Sequence, residues 1–219
     1  MKSIQILDKK IGREHPVYFI ADIAANHDGD LQRAKDLIYR AAEAGANAAK
    51  FQNFQASKIV SRSGFESLRE QLSHQSAWEK SVYETYEEAS VSFEWTAKLK
   101  EKCDEVGITY FTSPYDFESV DHVDPFVPAY KIGSGDITWH GIIEHIAGKG
   151  KPVFLATGAS TMEEVQAAMD VLRQYNQDIV LMQCNTNYTA SAETFRHINL
   201  NVLKSYGDVF PDVLLGLSD

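Results

Sequence analysis

Cysteine is scarce in this chain of 219 residues: only Cys103 and Cys184 occur. Two cysteines make no disulfide framework and fit a reducing compartment, so a cytoplasmic setting is expected. No apolar run approaches the ~18 residues that a membrane-spanning helix needs, so no membrane partner is expected. The opening stretch Met1-Lys2-Ser3-Ile4-Gln5-Ile6-Leu7-Asp8 has no long apolar core and no small-residue cleavage site, which argues against a signal peptide. Positive charge is also short. Against 31 Asp and Glu stand 21 Lys and Arg, a net charge of −10. A phosphate backbone demands clustered Lys and Arg, so no nucleic-acid partner is expected. The histidines other than His27 show no metal-ligand spacing.

What is present is a globular balance. Hydrophobic residues make up 44%, too many for a disordered chain, and the length can bury a large core. Short apolar runs alternate with amphipathic stretches. Strands are expected at residues 17–24, 48–52, 109–113, 129–134, 152–157, 179–184 and 213–218. The first helix carries Leu31, Ala34, Leu37, Ile38, Ala41 and Ala42 at helical spacing, opened by Asp28 or Asp30 and ended by Gly45. Another carries Trp95, Leu99, Cys103 and Val106 and ends at Gly107. Ser160-Thr161-Met162-Glu163 reads as a capping box opening a helix with Val165, Ala168, Met169 and Leu172 on one face.

Strand–helix repeats imply parallel strands with right-handed crossovers. The fold class is α/β, as an open doubly wound sheet or a (β/α)8 TIM barrel. Seven units in this length favour the barrel, which needs about 250 residues for eight. No eighth strand is found. The expectation is therefore an incomplete barrel, residues 1–219 being a fragment of a longer protein; the alternative is a complete open sheet of seven strands. Residues 55–92 form a long insertion, either a lid over the strand tips or a surface excursion.

In a parallel barrel, chemistry sits at the C-terminal strand ends. There the sequence places Asp22 and Asn26, Lys50 and Gln52, Thr112 and Ser113, Lys131, Ser134 and Asp136, Thr157, the run Asn185-Thr186-Asn187-Tyr188, and Ser218. Lys50 and Lys131 stand inside apolar strands, where a lysine costs desolvation unless an anion is near. Each could pair with a carboxylate such as Asp22 or Asp136, or the two could form a site for phosphate or carboxylate. At ~4 Å a lysine–anion pair gains about 4 kcal/mol at an effective dielectric near 20, before desolvation. Asp22 and Asp136 are candidate acid–base groups, or neutralise the lysines. The run from Asn185 to Tyr188 suits a polyhydroxylated or amide-bearing ligand. His27 could touch a ligand or cap the first helix. Cys184 reads as core.

These residues carry a resemblance. Asn26-His27-Asp28-Gly29, Ala49-Lys50-Phe51-Gln52, Phe111-Thr112-Ser113-Pro114, Lys131-Ile132-Gly133-Ser134-Gly135, Ala156-Thr157-Gly158 and Gly216-Leu217-Ser218-Asp219 occur in the order found in the N-terminal barrel of the sialic acid synthase family, which the chain resembles from about residue 17 onward. The resemblance implies condensation of phosphoenolpyruvate with an N-acyl amino sugar, typically N-acetylmannosamine, with release of phosphate. It implies that Lys50 and Lys131 hold the phosphate and carboxylate of the donor, with Ser113, Ser134 and Ser218 adding hydrogen bonds. Gln52 and the stretch from Asn185 to Tyr188 would bind the sugar. Asp22 and Asp136 stand where the family has glutamate, each one methylene shorter, and residues 184–189 depart from the family's Thr-Asn-x-Tyr-Pro-Thr. The resemblance further implies a divalent metal, manganese or magnesium, held by histidines beyond Asp219. It also implies a C-terminal antifreeze-like domain and a homodimer. The fragment alone is thus expected to hold no metal and to be inactive. A Schiff-base aldolase using Lys50 or Lys131 as nucleophile, and a non-catalytic sugar-binding relative, are the alternatives.

Overall fold

The computed structural model describes residues 2–68, 75, 78–186 and 192–218. The chain divides into two compact units: Phe19–Val127, and Met1–Tyr18 together with Pro128–Asp219.

The first strands of the chain are absent from the sequence expectations. β1 (Ser3–Ile6) and β2 (Lys9–Gly12) pair antiparallel. Ile4 and Ile6 are buried and alternate with exposed Ser3 and Gln5, the period of a half-buried strand. Four residues are too few for that alternation to stand out, and the turn puts Leu7 at φ +52°, where glycine or asparagine would be the usual signal.

Within Phe19–Val127, three parallel strands lie in the order β3 (Ile20–Ala24), β4 (Ala48–Asn53), β5 (Thr109–Pro114). β3 is shorter than the apolar run that announces it, because Val17 and Phe19 stay exposed. Helix α1 (Leu31–Glu43) is capped by Asp30, not Asp28: its carboxylate accepts from the N–H groups of Gln32 and Arg33. Ala34, Ile38 and Ala41 form its buried face. Gly45, at φ +85°, turns the chain into β4. The long insertion holds three short helices among the described residues: α2 (Ala56–Ile59), α3 (Arg62–Ser67) and α4 (Val82–Ala89). Lys58 of α2 reaches Asp116 and Glu118 at the start of α6 (Phe117–Val123), tying the base of the insertion to the end of β5. Between them α5 (Phe93–Val106) packs on α1, buries Thr96, Leu99 and Cys103, and ends on the left-handed Gly107.

The other unit holds four parallel strands in the order β6 (Tyr130–Ile132), β7 (Val153–Ala156), β8 (Ile179–Cys184), β9 (Leu214–Ser218). Their connections carry α7 (His140–Ala147), α8 (Met162–Tyr175) and α9 (Val202–Val209). The α8 capping box lies one residue later than expected, on Thr161 and Glu164. The Ser160 hydroxyl donates instead to the Thr157 carbonyl at 2.7 Å, closing the turn after β7. Each unit has the α/β character with parallel strands that the repeats imply, and the seven parallel strands among the described residues fall in the seven expected runs. β6 and β7 are buried throughout, as strands covered on both faces should be.

Candidate functional site

Parallel partners in register point to the same face of a sheet. Asp22 is in register with Lys50, Lys50 with Phe111, and Gln52 with Ser113. Asp22, Lys50, Gln52 and Ser113 therefore share one face of β3-β4-β5. Thr112 lies on the other, where its hydroxyl donates to Asn53 Oδ1 at 2.6 Å. Lys50 is 8% exposed and its ammonium lies 2.9 Å from Asp22 Oδ1. The lysine thus has the internal carboxylate partner that a buried cation needs, while the Asp22 side chain remains 45% exposed. Ser113 carries a buried hydroxyl with no hydrogen-bond partner, a group that costs free energy unless a ligand or water meets it. Gln52 donates its amide to the Tyr115 hydroxyl at 3.3 Å.

The loop after β3 is tightly wound. Asp28 and Gly29 both have positive φ, as does Ala24 at the register shift that ends β3. Asn26 donates its side-chain amide to the Ile23 carbonyl at 3.0 Å. His27 neither caps α1 nor faces solvent. It is fully buried against Trp95, with ring centroids 5.6 Å apart. Its Nδ1 accepts from the Gly29 N–H at 3.1 Å, and its Nε2 has no partner. Burial pushes the imidazole pKa below 6.5, so the ring is neutral at physiological pH.

In the second unit Lys131 is 5% exposed and donates to the Ile132 carbonyl at 3.0 Å. Register places it on one face with Phe154, Val180, Met182, Cys184, Gly216 and Ser218. β6 ends at Ile132, and a short 3-10 turn, Ser134–Asp136, follows. Burial pushes the Asp136 carboxyl up to about 6, against a smaller opposing pull from the Lys131 ammonium. The Ser134 and Thr186 hydroxyls are 3.1 Å apart, with Cys184 Sγ at 3.5 Å from Thr186 and 3.7 Å from Ser134. Cys184 is half-buried at a strand tip among hydroxyls rather than in the core. Thr186, and not Asn185, is thus the residue that meets Ser134. It does so at φ +52°, a conformation that for a β-branched residue costs about 1–3 kcal/mol and must be held by its surroundings. Thr157 is buried and donates its hydroxyl to the Met182 carbonyl at 3.2 Å, so that hydroxyl joins two strands. Asn187 and Tyr188 lie outside the described residues. Tyr115 was not legible as a site residue, since its role appears only through its cross-strand neighbour Gln52.

Among the described residues no group of three His, Cys, Asp or Glu could hold a metal ion. Asp22 is paired with Lys50, and the Asp136 carboxyl feels the charge of Lys131. These described donors do not by themselves make a metal site.

Residues 37–219 match the NeuB family. The chain is 31% identical over 209 residues to the N-acetylneuraminate-9-phosphate synthase of Homo sapiens, covering 95% of this chain and 56% of that protein. It is 33% identical over 218 residues to the N,N'-diacetyllegionaminic acid synthase of Legionella pneumophila subsp. pneumophila, covering 96% and 59%. A solved structure, the N-acetylneuraminic acid (sialic acid) synthetase of Leptospira borgpetersenii serovar Hardjo-bovis in complex with citrate, aligns over 100% of this chain and 70% of that one. Its TM-score of 0.86 at 24% identity shows a shared fold. The chain spans less than two thirds of the length of these curated relatives.

Proposed function

The chain belongs to the NeuB family, and on that premise we propose that the protein condenses phosphoenolpyruvate with an N-acyl amino sugar of the N-acetylmannosamine type, giving a sialic acid or related nonulosonate and phosphate. The observation that carries the reading is a strand-borne, nearly buried lysine in each unit: Lys50, with the Asp22 carboxylate 2.9 Å away, and Lys131, whose charge acts on the Asp136 carboxyl. An ammonium held out of water is a strong and selective receptor for a small dianion.

The family resemblance assigns Lys50 and Lys131 to the acidic groups of the donor, phosphate and carboxylate. Ser113, Ser134 and Ser218 add hydrogen bonds. Gln52, Asn26, Asn185, Asn187 and Tyr188 serve the sugar, Thr157 supports them, and the Thr186 hydroxyl stands against Ser134 on the donor side. Carbon three of the donor attacks the open-chain aldehyde, water adds at carbon two, and phosphate leaves. Asp136, with its carboxyl near 6, can hold or release a proton close to neutral pH, the property a general acid–base group needs. Asp22 holds Lys50 oriented. The resemblance alone supports the remaining parts of the reading: a manganese or magnesium ion, its histidine ligands after Asp219, a further strand and antifreeze-like domain, a homodimer and a cytoplasmic location.

The test is phosphate release by the natural full-length protein given phosphoenolpyruvate, manganese and a panel of N-acyl amino sugars. Release that requires one of the sugars is expected. Silence across the panel with sugar binding retained would favour a non-catalytic relative. Borohydride trapping with pyruvate separates the aldolase reading, since an adduct on Lys50 or Lys131 would replace the synthase one.

A further inference from the structure

Ser134, Gly158 and Thr186 follow three successive strands, β6, β7 and β8, and meet at one point within their unit. Gly158 sits at φ +58°, a conformation that glycine adopts without strain. A methyl group built on it would overlap the Thr186 hydroxyl oxygen and lie 2.5 Å from Ser134 Cβ and 2.9 Å from Ser134 Oγ. No side chain fits there while both hydroxyls keep their places. The space Gly158 leaves is what lets the Thr186 hydroxyl come within 3.1 Å of the Ser134 hydroxyl. Thr186 in turn stands in a left-handed conformation that its branched side chain disfavours.

We infer that Gly158 and Thr186 are positioning residues for the donor anion: the gap at Gly158 admits the Thr186 hydroxyl, and that hydroxyl fixes the direction in which Ser134 presents its own. This rests on the proposed phosphoenolpyruvate reading, in which Ser134 touches the donor. Two hydroxyls in contact orient one another. When one accepts, the other must point its proton along the line between them, and the first is left with its proton aimed elsewhere. An oriented hydroxyl donor binds an anion with less reorganisation than a freely rotating one. A threonine hydroxyl can do this and a valine methyl of the same shape cannot.

The test is phosphoenolpyruvate binding by calorimetry on the natural full-length protein, with circular dichroism melting as the fold check. Thr186→Val is expected to weaken donor binding at least tenfold with little change in melting temperature. Thr186→Ser, which keeps the hydroxyl, is expected to restore most of that loss. Gly158→Ala is expected to weaken binding by a similar factor, and the double variant Gly158→Ala/Thr186→Val to lose no more than the worse single one, because both remove the same contact. Equal binding by the Val and Ser variants, or multiplying losses in the double variant, would overturn the inference while leaving the donor reading intact. Should Gly158→Ala not fold, the Val and Ser pair decides alone. Absence of phosphoenolpyruvate binding by the unmodified protein would remove the donor reading, and the inference with it.

Discussion

Replacing Asp136 with asparagine should stabilise the protein at neutral pH while impairing its chemistry. The carboxyl titrates near 6 in the folded chain, against 3.8 for the unperturbed group, because it is buried. A raised folded-state pKa means that the protonated form is favoured by folding. The contribution is present in full below the unfolded value and is lost as pH rises through the folded one. The gap between 3.8 and about 6 is worth about 3 kcal/mol at 1.36 kcal/mol per pH unit, and about 2 of that falls between pH 4.5 and 8. Asparagine keeps the size and much of the hydrogen bonding and has no charge to bury. Urea unfolding of both proteins from pH 4.5 to 8 should therefore show the variant gaining on the wild type as pH rises. The midpoint gap should open by roughly 1 M, at about 2 kcal/mol per molar urea. Comparing the two proteins, rather than reading one profile, is essential. Buried His27 acts in the opposite sense, since its lowered pKa costs stability as pH falls below 6.5. A gap that stays constant with pH, or closes as pH rises, would refute the reasoning that burial raises the Asp136 carboxyl.

Asp22→Asn removes the charge partner of a nearly buried ammonium. It is expected to destabilise the fold by about 1–2 kcal/mol, less than a fully buried pair because the Asp22 side chain is part-exposed. Chemical denaturation at pH 7 measures it, and no loss would mean that Lys50 finds its compensation elsewhere. Thr161→Ala should cost about 1 kcal/mol through loss of the α8 cap, and Ser160→Ala clearly less. Melting temperatures of the two variants check the ranking, and the reverse order would restore the earlier register of the capping box.

Much of the fold was legible because a parallel strand buried on both faces must be apolar throughout. The run 179–184 became β8 without change at either end. The hairpin β1-β2 escaped because two buried isoleucines in four residues make no pattern above chance. The cap of α8 was ambiguous for a simple reason: Ser160-Thr161-Met162-Glu163-Glu164 contains two overlapping box patterns, and only hydrogen-bond geometry chooses between them. The strand-borne lysines were readable from the cost of burying charge. The pairing of Ser134 with Thr186, the amide held by Tyr115 and the gap at Gly158 were not, because each depends on which strands neighbour which. The burial of His27 was not legible for a related reason, since its environment is set by Trp95, far away in the chain.

The hairpin at the start of the chain belongs to the same unit as residues 128–219, and Lys2 bonds the carbonyl of Gln177. These residues leave the ribosome ahead of their partners, which emerge more than a hundred residues later. The intervening segment, with its own three strands, can be complete by then. Ile4 and Ile6 must wait in water, or in the hands of a chaperone, until the second half arrives to cover them.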